Sequence, residues 1–255
     1  MNSLHGKVAI VTGGGKGIGE AIAKAYCSEG AQVAIVSRTL ADLESVARGI
    51  NRSSPGRALP IRGDVTLKVD VMNVVVKVVK SFGRIDILVN NAAIGAVMKP
   101  FEEITEAEWD QAMEINVKGP FLLTREVLPF MLKQRSGNII NVSSGAGLKR
   151  PRKYVRSVPY MVSKFALEGL SHALAIRLLG SGINVNVLRP GFTRTPMQAS
   201  WTPDQLERLA EEAGGILEPD SVNGLALYLA TLEPGEVTDQ AFNTVEWIKR
   251  QGDRG

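Results

Sequence analysis

The run Val8-Ala9-Ile10-Val11-Thr12-Gly13-Gly14-Gly15-Lys16-Gly17-Ile18-Gly19 decides the fold. Its first four residues are apolar without interruption, as in a strand buried on both faces. Glycines follow at once, and from Gly17 the sequence takes up a helical period that runs to Glu29. A strand that passes through a glycine-rich turn into a helix is a setting for a pyrophosphate. Backbone amides and the positive end of the helix face the anion. Glycine lets the chain turn tightly and approach the phosphate closely. The spacing here, Gly13-x3-Gly17-x-Gly19, is not the strict G-x-G-x-x-G fingerprint. A glycine-rich loop alone is often only a turn. Its place between the first strand and the first helix makes Gly13, Gly15, Lys16, Gly17, Ile18 and Gly19 candidate nucleotide contacts.

Outward from this run, short β-branched segments alternate with longer amphipathic ones. Strands are predicted at residues 8–11, 32–37, 58–62, 85–89, 138–142, 184–188 and 241–245. Helices are predicted at residues 17–29, 40–51, 67–82, 106–134, 158–179, 203–213 and 221–229. The valines of 67–82 are an odd choice for a helix, but their period is helical. The long segment 106–134 is predicted to bend near Gly119-Pro120. Such alternation implies an α/β fold: a Rossmann-type, doubly wound parallel sheet with helices on both faces. Ligands of such a sheet sit at the carboxyl ends of the strands. The 255 residues form one expected domain, with a nucleotide-binding half at about 1–135 and a catalytic and substrate half at about 136–255.

The chemistry is written most plainly in Tyr160-Met161-Val162-Ser163-Lys164. Residues four apart on a helix share a face, so a phenol lies beside an ammonium. The positive charge favours the phenolate and lowers the phenol's pKa. A phenol that exchanges protons near neutrality suits ketone reduction. Without other motifs, a packed tyrosine beside a surface lysine is the plainer reading. Tyr154 has Val158 four positions on, with no lysine in register, so it is discounted as the acid.

The second predicted strand ends Ser37-Arg38-Thr39. An acidic residue is expected there when a ribose 2′-hydroxyl is bound. Arg38 instead offers a planar fork suited to phosphate, and Lys16 can face the same group. The pair predicts a 2′-phosphate, hence NADP(H) rather than NAD(H); two solvated surface cations are the alternative. Asp64-Val65, after the third strand, is placed to meet an adenine, although a plain loop aspartate reads the same way.

These residues, together with Asn90-Asn91-Ala92-Ala93, Asn116, Asn141-Val142-Ser143-Ser144 and Pro190-Gly191, resemble the short-chain dehydrogenase/reductase family over roughly residues 6–198. The Lys16–Arg38 pair is similar to the NADP-preferring carbonyl-reductase branch. The resemblance implies that Asn90 supports the sheet centre and borders the adenosine with Asn91, Ala92 and Ala93. It implies that Asn116 holds a water in a proton relay and that Ser144, rather than Ser143, hydrogen-bonds the substrate carbonyl. Tyr160 would then donate the proton, and Lys164 would hold the nicotinamide ribose. Pro190, Gly191, Thr193 and Thr195 would frame the nicotinamide amide. The family also implies a homotetramer or homodimer.

Composition narrows the alternatives. One cysteine, Cys27, and two histidines, His5 and His172, cannot build a nitrogen/sulfur metal site of the usual kind. The lone cysteine excludes an internal disulfide, and residues 1–7 lack a basic-then-apolar leader pattern, so the cytoplasm is expected. No apolar run approaches the ~20 residues needed to span a bilayer. The net charge of +4 suits anionic small ligands, with no basic helix suited to nucleic acid. Lys149, Arg150, Arg152, Lys153 and Arg156 crowd the segment between Ser144 and Tyr160. They suggest an anionic substrate or a pantetheine thioester, although a solvated loop is the plainer reading. Residues 196–215 are expected to form a lid with Trp201 at its lip, although ordinary packing reads equally well. The expectation is an NADP(H)-dependent oxidoreductase interconverting a ketone and a secondary alcohol. A 3-oxoacyl thioester reductase is the nearest rival, and a non-catalytic NADP sensor is a rival of another class.

Overall fold

A computed structural model describes residues 3–95, 99–145, 157–199 and 201–253. The basic segment 149–156, with Tyr154, lies outside the described residues. Seven strands form one sheet: β1 (Val8–Thr12), β2 (Gln32–Ser37), β3 (Arg57–Arg62), β4 (Ile87–Asn90), β5 (Gly137–Val142), β6 (Ile183–Arg189) and β7 (Ala241–Asn243). Their spatial order is β3-β2-β1-β4-β5-β6-β7, and every pairing is parallel. The order reverses between β1 and β4. That is where a crevice opens at the carboxyl edge of such a sheet.

The opening run explains the layering. Successive side chains of a strand point to opposite faces. Ala9 and Val11 therefore enter one core with α1 (Gly17–Ser28), α2 (Leu40–Ser53) and α8 (Asn223–Ala230). Val8 and Ile10 enter the other with α3 (Lys68–Phe82), α5 (Gly119–Gln134) and α6 (Val158–Arg177). The valine-rich α3 holds as a helix because Val71, Val74, Val75 and Val78 bury one stripe against the sheet. Packing outweighs its weak propensity. Pro60 is tolerated because β3 is an edge strand.

Three expectations need correction. The fourth strand begins at Ile87 rather than Ile85. Asp86 instead turns its buried carboxylate back to accept from the Val8 N–H (2.9 Å) and to pair with Arg84. The predicted long helix is two helices, α4 (Glu106–Met113) and α5, joined by one π turn over Glu114–Lys118. The irregularity therefore precedes Gly119-Pro120. Pro120 falls in the first turn of α5, where a missing N–H is tolerated. Last, β7 stops at Asn243, and Thr244–Gly252 forms a further helix, α9. The Asn243 side chain accepts from the Val245 and Glu246 N–H groups, so this residue caps a helix inside what reads as a strand.

Candidate active site

The carboxyl ends of β1, β4, β5 and β6 meet at one cleft of about 740 Å³. Thr12 is buried just before Gly13, the first cleft-lining residue. The Thr12 hydroxyl accepts from the N–H groups of Asn91 and Ala92, each at 3.0 Å, and donates to the Val89 carbonyl. The Asn91 side chain returns the contact by donating to the Thr12 carbonyl at 2.9 Å. The two strands flanking the switch point are thereby stapled, and Asn91, Ala92 and Ala93 face the cleft.

The glycine loop lies opposite. Gly13 (φ 66°) and Gly17 (φ 55°) adopt the left-handed conformation that a side chain disfavours. A Cβ on Gly13 would stand 2.8 Å from the Asn91 amide nitrogen, and one on Gly17 would stand 3.2 Å from Thr195. Gly19 lies directly against the Gly13 carbonyl. The loop therefore leaves a bare backbone cradle at the start of α1, which fits a pyrophosphate. Gly13, Lys16, Gly17 and Ile18 line the cleft, and Gly15 packs outside it against Asp42 and Ser37.

Ser37, Arg38, Asp64 and Val65 lie beyond this cleft. Arg38 is exposed, and its carbonyl accepts from Arg62 Nε at 3.3 Å. Asp64 folds its own turn, accepting from the N–H and hydroxyl of Thr66, and Val65 packs on Gly119. The structure adds Asp42, whose carboxylate meets Lys16 Nζ at 2.9 Å.

Tyr160 and Lys164 stand one turn apart on α6, whose N-terminus is capped by Ser157. Both line the cleft with Ser144, two residues past the end of β5. Lys164 is only 3% exposed. Its Nζ donates to the Val142 carbonyl at 2.9 Å and sits 5.6 Å from the centre of the Tyr160 ring. Burial pulls its pKa down to about 8, and the negative Glu168 pulls the other way. The ammonium is thus held in a dry site against its own hydration preference.

Asn116, 1% exposed in the π turn, lies behind this pair. Its carbonyl oxygen accepts from the Ile94 N–H at 2.9 Å. Its amide donates to the Ile94 carbonyl and to Ser163 Oγ. Ser163 in turn donates to the Tyr160 carbonyl at 2.7 Å. Pro190, Gly191, Thr193 and Thr195, after β6, close the cleft from the far side. Trp201 also lines it, stacked on Phe192 with 9° between the rings.

The sequence reading did not foresee the wall formed by α9. Asn243, Val245, Glu246 and Lys249 all face the cleft, as does Glu212 from α7 (Pro203–Ala213). It also missed a carboxylate under the site. Glu168 accepts from Ser143 Oγ at 2.7 Å and holds Arg189 with two bonds. The signal was present, since Glu168 lies four residues after Lys164 on the same helix.

Comparison with known proteins agrees with this geometry. The family model described as short chain dehydrogenase matches residues 7–206. The 3-oxoacyl-[acyl-carrier-protein] reductase FabG of Thermotoga maritima is 36% identical over 244 residues, covering 94% of this chain and 96% of that protein. The L-fucose dehydrogenase of Bos taurus is 36% identical over 234 residues, covering 89% and 83%. Among solved structures, the 3-ketoacyl-(acyl-carrier-protein) reductase of Brucella melitensis complexed with NADH superposes with a TM-score of 0.84 at 33% identity, covering 94% of this chain and 97% of that one. Levodione reductase gives a TM-score of 0.86 at 28% identity, covering 94% and 96%. The chain belongs to the short-chain dehydrogenase/reductase family, and is an NAD(P)(H)-using oxidoreductase of CH–OH and keto groups.

Proposed function

We propose that this enzyme interconverts a ketone and a secondary alcohol with NADP(H), using Tyr160 as the general acid/base. The nicotinamide supplies the hydride in reduction and accepts it in oxidation. As hydride reaches the carbonyl carbon, charge grows on the oxygen. Ser144 donates a hydrogen bond to that oxygen, and Tyr160 gives it the proton. Lys164 keeps the phenol acidic and holds the nicotinamide ribose. Asn116 lies in the path by which protons are replenished. Pro190, Gly191, Thr193 and Thr195 hold the nicotinamide amide, and residues 196–215 close over the substrate to exclude water. The observation that carries the reading is the buried Lys164 ammonium, 5.6 Å from the ring of Tyr160 at the cleft wall.

Arg38, beside Arg62, supports NADP(H), with Gly15, Ser37, Asp64 and Val65 shaping the adenosine end. Asp42 opposes this by neutralising part of the Lys16 charge. Exposed Phe121 and Leu132 on α5 and Ile176 on α6 support a homodimer or homotetramer. With Cys27 its single thiol, the chain can form no internal disulfide, which suits a reducing cytoplasm.

The test is NADPH oxidation with a panel of ketones, by wild type and Tyr160→Phe. The variant should bind NADPH as before and lose about 10²- to 10⁴-fold in kcat, the usual worth of a positioned acid. Turnover that survives the change would refute the reading. A narrower substrate, a 3-oxoacyl thioester, is favoured by one observation. The Thermotoga maritima and Brucella melitensis relatives, at 36% and 33% identity, are both named as reductases of that class. Acetoacetyl thioesters belong in the same panel.

A further inference from the structure

We propose that Glu168 is a positioning residue: one carboxylate that clamps together the three segments bearing Ser144, Tyr160–Lys164 and Pro190-Gly191. The inference rests on the ketone-reductase reading above and deepens it. Glu168 lies on α6, one turn after Lys164 and two after Tyr160, on the same side of the helix. Its Oε1 accepts from Ser143 Oγ at 2.7 Å and from Arg189 Nε at 2.9 Å. Its Oε2 accepts from Arg189 Nη2 at 2.6 Å. Ser143 is the residue before Ser144, and Arg189 is the residue before Pro190. Each partner therefore sits next in the chain to a residue of the cleft wall.

The energetics argue against a purely stabilising role. Both members of the Glu168–Arg189 pair have side chains only 17% exposed. A pair so far out of water contributes little net stability, and well-packed apolar replacements are often neutral or better. What the pair does supply is fixed geometry, because a bidentate arginine–carboxylate contact tolerates little rotation. It also sets charge. Lys164 faces Tyr160 and Glu168 on its own helix, and Arg189 on β6 behind Glu168. From β5 it meets the neutral Val142 carbonyl. Glu168 is the negative charge that favours the Lys164 ammonium against burial.

Three variants test the clamp: Glu168→Gln, Glu168→Asp and the paired Glu168→Met/Arg189→Met. The readouts are kcat, KM for the ketone, NADPH affinity by fluorescence, thermal midpoint and the pH profile of kcat. Glu168→Gln keeps an acceptor for Ser143 but removes the charge. It should melt below wild type, because Arg189 keeps a mostly buried charge without its partner, yet bind NADPH within about twofold of wild type when assayed well below that midpoint. Its kcat should fall roughly 10- to 100-fold, the scale of a sub-ångström misplacement at a reacting centre. The alkaline limb of its profile should move to lower pH, because Lys164 then loses its proton more easily. Glu168→Asp should recover part of kcat. The paired variant removes both charges together, so it should stay folded while remaining slow.

A Glu168→Gln enzyme with wild-type kcat and an unmoved alkaline limb overturns the proposal. So does a loss of kcat that only follows a fall in thermal midpoint and disappears on cooling. Should Glu168→Gln not fold, the paired variant decides: slow and stable supports the clamp, fast and stable removes it. Tyr160→Phe assayed alongside separates the two claims. Turnover surviving in that variant defeats the acid/base reading. An inactive Tyr160→Phe beside a fully active Glu168→Gln defeats only the clamp.

Discussion

Lys164 is the residue whose placement runs against its own solvation. Its ammonium is 3% exposed, and burial brings its pKa from 10.5 to about 8. A folded-state pKa below the unfolded one means that the unfolded chain holds its proton more tightly. Below pH ~8 the lysine is charged in both states, and the folded protein carries the full desolvation cost. Between pH ~8 and ~10.5 the unfolded chain binds more protons, so stability rises with pH over that window. The size is at most about 3 kcal/mol, from the shift at 1.36 kcal/mol per unit. Lys164→Met removes the charge while roughly keeping the chain's shape. It should therefore unfold at higher urea at pH 7, by about 1–3 kcal/mol, while losing ketone turnover. The gain over wild type should shrink when the titration is repeated near pH 10. A variant that is less stable at pH 7 would show that the bond to the Val142 carbonyl outweighs the buried charge. The pairing of Tyr160 with Lys164 was legible because four residues is one helical turn. The dryness around Lys164 was not, because it is set by β5 and β6, segments distant in sequence.

At the scale of elements, the π turn between α4 and α5 holds a buried hub of the site. It places Asn116 so that one amide bonds the Ile94 N–H and carbonyl and Ser163 Oγ. The loop after β4 is thereby tied to the first turns of α6. Asn116→Ala would leave these groups without their partner, at about 1 kcal/mol or more each when buried. We expect a loss of about 2–3 kcal/mol and faster hydrogen exchange at the Ile94 amide, with exchange in β1 slowed or hastened only as global stability dictates. Asn116→Asp keeps the acceptor for the Ile94 N–H but buries a carboxylate against the Ile94 carbonyl, so it should be at least as destabilised as Asn116→Ala. Exchange at Ile94 unchanged in Asn116→Ala would mean that the loop is held by other contacts. The strands and helices themselves were readable from period alone, because each buries a stripe or both faces. The π turn was not, because hydrogen-bond register has no residue signature beyond the nearby Pro120. Helix α9 was hidden for another reason. Asn243 caps it within Ala241-Phe242-Asn243-Thr244-Val245, a run whose composition reads as strand to its end. The cleft wall carried by α9 was lost with it.

For the molecule as a whole, the sheet order puts the two halves of the site on either side of the β1/β4 reversal. On the proposed reading, Arg38 and Lys16 would meet the adenosine end of the cofactor, and Tyr160 and Lys164 its nicotinamide end. A ligand that spans both sides binds only the folded chain, so it stabilises the whole fold by mass action. At a concentration of 100 times Kd the gain is about 2.7 kcal/mol. For a chain of this length that is roughly 5–10 °C in Tm. Cofactor choice is thus readable from melting curves without any substrate. If Arg38 meets a 2′-phosphate, NADPH should raise Tm by several degrees more than NADH at equal concentration. Arg38→Asp places a negative charge where that phosphate would sit, and should collapse the NADPH shift while leaving the NADH shift intact or larger. Asp42→Asn, which frees Lys16 from its 2.9 Å ion pair, should widen the NADPH advantage. Higher ionic strength should narrow it, since these charges are exposed and screened by salt. Equal shifts from the two cofactors in wild type, unaltered by Arg38→Asp, would show that the exposed arginine is a surface cation and that the enzyme reads the ribose by other groups.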